Sequence, residues 1–183
     1  MKLHAIWQSA TQQAIFRQLM QAMAYPGRIY ELRTQLDEAE AHRGILAVLL
    51  DAGTSLADVH ELLPSDDWPL LQAQSQPGDE ADYILCDGAQ AVSIKPHLGE
   101  LANPERSATV LIKVENLQQG GQTLRLKGPG IRQTMEIQPL GLHPEWWQHR
   151  NEWNGAFPLG VDIILTDRHR LMCLPRTTQV EVM

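Results

Sequence analysis

Cysteine, lysine and long apolar runs are all scarce in this chain, and each shortage removes a class of function. Cys86 and Cys173 are the only two cysteines and stand far apart. Two thiols so placed predict neither a disulfide framework nor a CxxC redox pair. They are also too few to ligate an iron–sulfur cluster or a structural zinc, so any radical or redox chemistry belongs to another chain. The best apolar run, Ile45 to Leu50, is about a third of the ~18 residues that cross a bilayer. Met1 to Trp7 shows no apolar h-region and no small-residue cleavage site, which with the missing span predicts a cytoplasmic protein away from the membrane.

Positive charge is short as well. Eleven Arg and four Lys face 22 Asp and Glu, for a net charge of −7. The basic residues are scattered, and their closest cluster is Arg168-His169-Arg170. A chain that grips a phosphate backbone gathers them on one face, so nucleic acid is excluded as a partner. The seven histidines form no HxH or HExxH pattern, and no metal site is predicted. No GxSxG elbow is present. Cys86 beside Asp87 reads as a buried, inert thiol.

What is present is an ordinary globular composition, with 43% apolar and 20% charged residues over 183 positions. A chain of this size buries roughly 70% of its unfolded surface. Without repeats, linkers or compositional shifts, residues 1–183 are expected to form a single α/β domain, a mixed sheet flanked by helices. A helix is predicted from Ser9 to Ala24, with Ser9 and Gln12 as a capping box and Phe16, Leu19, Met20 and Met23 as its apolar stripe. Pro26 and Gly27 end it, and a strand over Arg28 to Leu32 follows. A second helix is placed at His42 to Ala52, stopped by Gly53, and a short one at Trp68 to Ala73, capped by Asp67. Tyr83 to Cys86 and the β-branched Thr109 to Val114 read as strands. Gly120-Gly121 signals a hairpin turn. Leu124 and Leu126 alternate with Arg125 and Lys127 in a half-buried strand, and Ile131 to Ile137 is another. Pro144 to Glu152 is predicted helical, with Leu142, Trp146, His149 and Trp153 near one face. Val161 to Leu165 and Leu171 to Leu174 form two strands joined at Asp167 to His169.

Three segments are candidates for chemistry. Lys127-Gly128-Pro129-Gly130 has a superficial likeness to a phosphate loop but lacks GxxxxGK[ST], and its proline removes an amide; a tight turn between strands is the better reading. Trp146, Trp147 and Trp153 are either core or anchors at a subunit contact. Pro175-Arg176-Thr177-Thr178 admits two roles. Arg176 with the adjacent hydroxyls of Thr177 and Thr178 forms an anion grip, or Arg176 pairs with Asp162 or Glu181 and the threonines follow strand propensity. Ion pairing is the commoner use of such an arginine.

The tail Phe157-Pro158-Leu159-Gly160-Val161-Asp162-Ile163-Ile164-Leu165-Thr166, then Leu174-Pro175-Arg176-Thr177-Thr178 and Val180-Glu181-Val182, resembles the C-terminus of the PhnH family. Phe16-Arg17-Gln18-Leu19, Ala22-Met23 and Pro26-Gly27 are similar to that family's FRxLxxAMxxPG opening. Pro104-Glu105, Ala108 to Ile112 and the turn from Gly128 to Ile131 match in order, so the resemblance spans nearly the whole chain. It implies a fold similar to that of pyridoxal-phosphate-dependent transferases but without the cofactor. It also implies a homodimer assembled with PhnG, PhnI and PhnJ in the bacterial carbon–phosphorus lyase core complex. That assembly converts ATP and an alkylphosphonate such as methylphosphonate to a ribose 1-phosphonate 5-triphosphate with release of adenine. The role expected here is mainly structural, and the few lysines (Lys2, Lys95, Lys113 and Lys127) match no Schiff-base motif. The expected ligand-binding candidates are Arg176, Thr177, Thr178 and Asp162, with Arg17 of the first helix; no catalytic residue is assigned. A free-standing enzyme or binding protein for a phosphorylated small molecule, using Arg176, Thr177 and Asp162, is the competing expectation.

Overall fold

The computed structural model describes residues 4–183. Among the described residues there are ten strands: β1 (Tyr30–Glu31), β2 (Ser55–Asp58), β3 (Gln74–Ser75), β4 (Tyr83–Asp87), β5 (Thr109–Lys113), β6 (Leu124–Lys127), β7 (Met135–Ile137), β8 (Asp162–Thr166), β9 (Arg170–Leu174) and β10 (Gln179–Val182). The α-helices are α1 (Ser9–Ala24), α2 (Arg33–Leu36), α3 (Ala41–Leu49), α4 (Trp68–Leu71) and α5 (Glu145–Trp153). Seven strands form one mixed sheet in the order β1-β9-β8-β5-β4-β2-β3, and three form an antiparallel sheet in the order β10-β6-β7. Strands β8, β5, β4, β2 and β3 run parallel, while β9 and β1 are antiparallel additions.

The large sheet is covered on both faces, which explains why β4, β5 and β8 read as unbroken apolar runs. Alternate residues serve opposite layers. Ile84, Cys86, Val110, Ile112, Ile163, Leu165, Met172 and Leu174 pack with Trp146, Trp147 and Trp153 and with Leu124, Leu126 and Val180 of the small sheet. Leu85, Leu111, Ile164, Leu171 and Cys173 face the other way, toward Ile15, Leu19 and Ala22 of α1 and Ile45 and Leu46 of α3. The β8–β9 hairpin forms as expected, and Asp167 wires its turn. One Asp167 oxygen accepts the His169 and Arg170 amides at 3.1 and 3.0 Å, and the other accepts the Leu117 amide at 3.1 Å.

Several elements differ from the sequence expectation for definable reasons. Helix α1 has the predicted span, but Gln8 is its N-cap and no side-chain capping bond forms. Its buried face is Ile15, Leu19 and Ala22, while Phe16 is 46% and Met20 52% exposed. Close approach sets this rotation: a Cβ on Gly44 of α3 would lie 3.1 Å from Ile15 and 2.8 Å from Leu36. Helix α3 ends at Leu49 rather than Ala52 because Asp51 starts a turn, accepting the Gly53 amide at 2.8 Å while its own amide donates to the Thr54 hydroxyl. Asp67 holds the N-cap position of α4 as expected, but its carboxylate makes no capping bond and instead grips Arg43 at 2.6 and 2.8 Å. Gly120-Gly121 makes no hairpin between β5 and β6, which lie in different sheets. A Cβ on Gly121 would sit 1.8 Å from the Pro139 carbonyl, so glycine is needed there for backbone contact. The strand expected over Arg28 to Leu32 contracts to Tyr30–Glu31, and that over Ile131 to Ile137 to Met135–Ile137.

Candidate functional site

The tail gathers three of the five expected ligand-binding residues around one arginine. Asp162 opens β8, and Arg176 follows β9, which pairs antiparallel with β8 and so returns the chain to the same end of the sheet. Arg176 Nη2 lies 2.8 Å from Asp162 Oδ2, its Nε lies 3.4 Å from Asp162 Oδ1, and its backbone N–H donates to the same Oδ1 at 2.7 Å. Nη2 also donates to the Ser107 hydroxyl at 2.6 Å, and Nη1 donates to the Pro104 and Pro158 carbonyls at 2.8 and 3.4 Å. A guanidinium has five N–H donors, and the five side-chain contacts engage all of them within the chain. Of the two roles open to Arg176, the geometry displays the ion pair with Asp162. Glu181, the other possible partner, faces Arg125 at 3.8 Å instead.

Thr178 is 2% exposed, its hydroxyl has no hydrogen-bond partner, and its amide closes a turn onto the Pro175 carbonyl at 2.9 Å. Thr177 is exposed. Its carbonyl lies 2.8 Å from the point where a Cβ on Gly128 would stand, so the Lys127–Gly130 turn packs against the tail as strand-to-strand backbone. Arg17 is not part of this group. It is exposed on α1 and makes no ion pair or side-chain hydrogen bond among the described residues.

Sequence reasoning missed a second arginine. Arg150 of α5 is 1% exposed and donates through Nη2 to the carbonyls of Pro175 and Thr178 at 2.9 and 2.7 Å. Burial lowers its pKa to about 10, opposed by the charge of Asp162. It therefore stays cationic at neutral pH and clamps the tail turn from below. Nothing in the α5 sequence marks this role, since its partners are main-chain carbonyls of a distant turn. The tryptophans of α5 are core: Trp146 is 1% exposed, donates to the Gly88 carbonyl at 3.0 Å, and meets Trp153 edge-on at 6.4 Å.

A polar cluster also occupies the carboxyl ends of the parallel strands, the edge where open α/β sheets place ligands. Lys113 at the end of β5 pairs with Glu40 at 2.6 Å, and the Ala41 amide donates to the Arg168 carbonyl at 3.0 Å. Burial raises the Glu40 pKa, but Lys113 outweighs it through a hydrogen bond and its charge, assisted by His42 and Arg168, and holds the carboxyl below its usual range. His42 is 1% exposed; its Nδ1 lies 3.4 Å from Glu40 Oε2, and neither ring nitrogen makes a well-formed hydrogen bond. Burial, only partly offset by Glu40, pushes its pKa down to about 4, so the imidazole is neutral. The hydroxyl of Thr166, at the end of β8, is likewise buried without a partner. Both thiols are inert: burial raises Cys86 to about 12 and Cys173 still further. Among the described residues, no group of three or more His, Cys, Asp or Glu is placed to hold a metal ion.

Comparison with known proteins agrees with the resemblance read in the tail. Residues 4–181 match the PhnH family, described as a bacterial phosphonate metabolism protein. The chain is 42% identical over 177 residues to HtxG of Stutzerimonas stutzeri, named as a candidate C-P lyase subunit, covering 97% of this chain and 89% of that protein. It is 32% identical over 180 residues to the alpha-D-ribose 1-methylphosphonate 5-triphosphate synthase subunit PhnH of Rhizobium meliloti (strain 1021), covering 92% of this chain and 90% of that one. With the match running through both sheets and every helix, the chain belongs to the PhnH family.

Proposed function

We propose that this protein is a subunit of a carbon–phosphorus lyase assembly and acts there chiefly as a structural component. The family match over residues 4–181 carries this reading, together with two relatives that are each named as subunits. The reaction we assign to the assembly is conversion of ATP and methylphosphonate to ribose 1-methylphosphonate 5-triphosphate with release of adenine. The partners we assign are a second copy of this chain and the PhnG, PhnI and PhnJ subunits. The outer face of α1 supports a docked state, because Phe16 and Met20 stand one turn apart at 46% and 52% exposure. Arg176 supports a structural role for the tail, since its donors are used inside the chain.

We also propose that the chain has a fold like that of the pyridoxal-phosphate-dependent transferases and carries no pyridoxal phosphate; the mixed α/β sheet supports only the fold class. Lys95 and Lys127 are exposed and Lys113 is held in an ion pair with Glu40, while Lys2 lies outside the described residues. A Schiff base requires a lysine amine free to attack the cofactor's aldehyde, and the Lys113 amine is engaged by Glu40 at 2.6 Å. Purified protein is expected to lack the cofactor's absorbance between roughly 330 and 420 nm.

The test of the functional reading is turnover. The isolated chain incubated with ATP and methylphosphonate is expected to release no adenine, while the assembly containing it does. Adenine release by the isolated chain would make it a free-standing enzyme and defeat the proposal.

A further inference from the structure

We propose that the cleft between the α1–β1 turn and the segment Gly130–Met135 binds a phosphoryl-type oxyanion, with Arg28 and Arg132 as its charged contacts. The cleft encloses about 390 Å³ and adjoins the turn after Lys127-Gly128-Pro129-Gly130, a size within the usual range for small-molecule sites. Its polar lining is Arg28, Arg132, Gln133 and Thr134, and no carboxylate contributes to it. In a chain of net charge −7, two arginines facing one cleft without an acidic residue concentrate positive potential locally. Distant carboxylates oppose this weakly, since screening acts over about 8–10 Å at physiological salt. The acidic residues closest in sequence, Glu31 and Glu136, face Arg33 and Arg125 at 4.0 and 3.4 Å.

The donors are also uncommitted. Among the described residues, the side chains of Arg28, Arg132, Gln133 and Thr134 make no hydrogen bond or ion pair, and the Arg132 and Gln133 amides donate to no backbone carbonyl. Arg28 is nevertheless positioned: its guanidinium lies over the Tyr25 ring, 4.8 Å from the centroid. Such a contact uses the face of the guanidinium and leaves its N–H edge for an oxyanion. The two walls are fixed against each other. A Cβ on Gly130, at φ +81°, would stand 2.2 Å from the Ala24 carbonyl, and one on Gly27 would stand 2.6 Å from Leu126 and Met135. The carboxyl end of α1 lies in the same wall, but its partial charge of about −0.5 is outweighed by two full positive charges.

This inference goes beyond the assembly reading, and its failure would leave that reading untouched. The test is calorimetric titration of the full-length protein with inorganic phosphate and, separately, with glycerol 3-phosphate. Both arginines are exposed, so Arg28→Ala and Arg132→Ala are expected to fold, which circular dichroism checks. Binding of one or both probes is expected, weakening about tenfold or more with loss of each arginine, as charge-assisted hydrogen bonds require, and unchanged by Lys95→Ala on a different loop. Tighter binding of the ester identifies phosphate-bearing metabolites as the source, and equal binding identifies free phosphate. Failure of the wild type to bind either probe, or undiminished binding by the Arg28→Ala/Arg132→Ala double variant, would overturn the proposal.

Discussion

Replacing Arg176 with alanine tests whether the tail is held by this residue. The substitution removes five side-chain hydrogen bonds that join β8, the turn after β9, the loop at Pro158 and the segment from Pro104 to Ser107. It leaves Asp162 with the Arg176 amide, at 2.7 Å, as its remaining donor from that residue. Truncating one partner of a buried ion pair costs about 3–5 kcal/mol. The side chains here are 15% and 19% exposed, so the lower end, about 3 kcal/mol, applies. For a protein of this size that corresponds to a fall in Tm of about 6–12 °C. Asp162→Ala is expected to cost at least as much, because it also orphans the Arg176 amide. The double variant is expected to show a coupling energy of about 2 kcal/mol in urea denaturation, reflecting charge-assisted bonds. A single-variant cost below about 1 kcal/mol, the scale of a surface pair, or a coupling near zero would refute the reasoning.

Stability is also expected to depend on pH through His42, whose pKa lies near 6.5 when unfolded and about 4 when folded. Between those values the unfolded chain binds more protons, so stability falls as pH drops from about 6.5 toward 4, by up to about 3 kcal/mol. His42→Gln should flatten that limb of the unfolding profile, and an unchanged limb would contradict the assignment. Cys86 and Cys173, both fully buried, are expected to react with a chromogenic disulfide reagent only after denaturation; fast labelling of native protein would show otherwise. Trp146→Phe, which strips the donor from the Gly88 and Gln90 carbonyls, is expected to cost about 2 kcal/mol, read as a lower urea midpoint.

The interior strands were legible because burial on both faces leaves runs such as Val110-Leu111-Ile112 and Ile163-Ile164-Leu165 with no other soluble role. Strand β2 was not legible: Ser55-Leu56-Ala57-Asp58 has one large apolar residue, and parallel pairing with β4 places it. The α1 limits followed from Pro26, and Leu19 and Met23 of its stripe do pack on the core, but Phe16 and Met20 do not. Size favoured Phe16 and Met20, whereas contact with Gly44 selects Ile15. At the tail, the partnership of Arg176 and Asp162 was visible as one of two readings, because residues flanking a hairpin return to the same edge. Arg150 and His42 left no pattern, since the first binds main-chain carbonyls of a distant turn and the second is defined by its burial in α3 beside Glu40. The arginine pair of the α1–β1 cleft was equally hidden, because Arg28 and Arg132 meet only through packing of the small sheet on α1.

The central claim is that this chain works as a subunit, and co-purification tests it most directly. Tagged protein expressed with PhnG, PhnI and PhnJ is expected to elute with all three in fixed proportion through affinity and size-exclusion steps. Elution of the tagged chain alone, with the three partners assembled separately, would contradict the account.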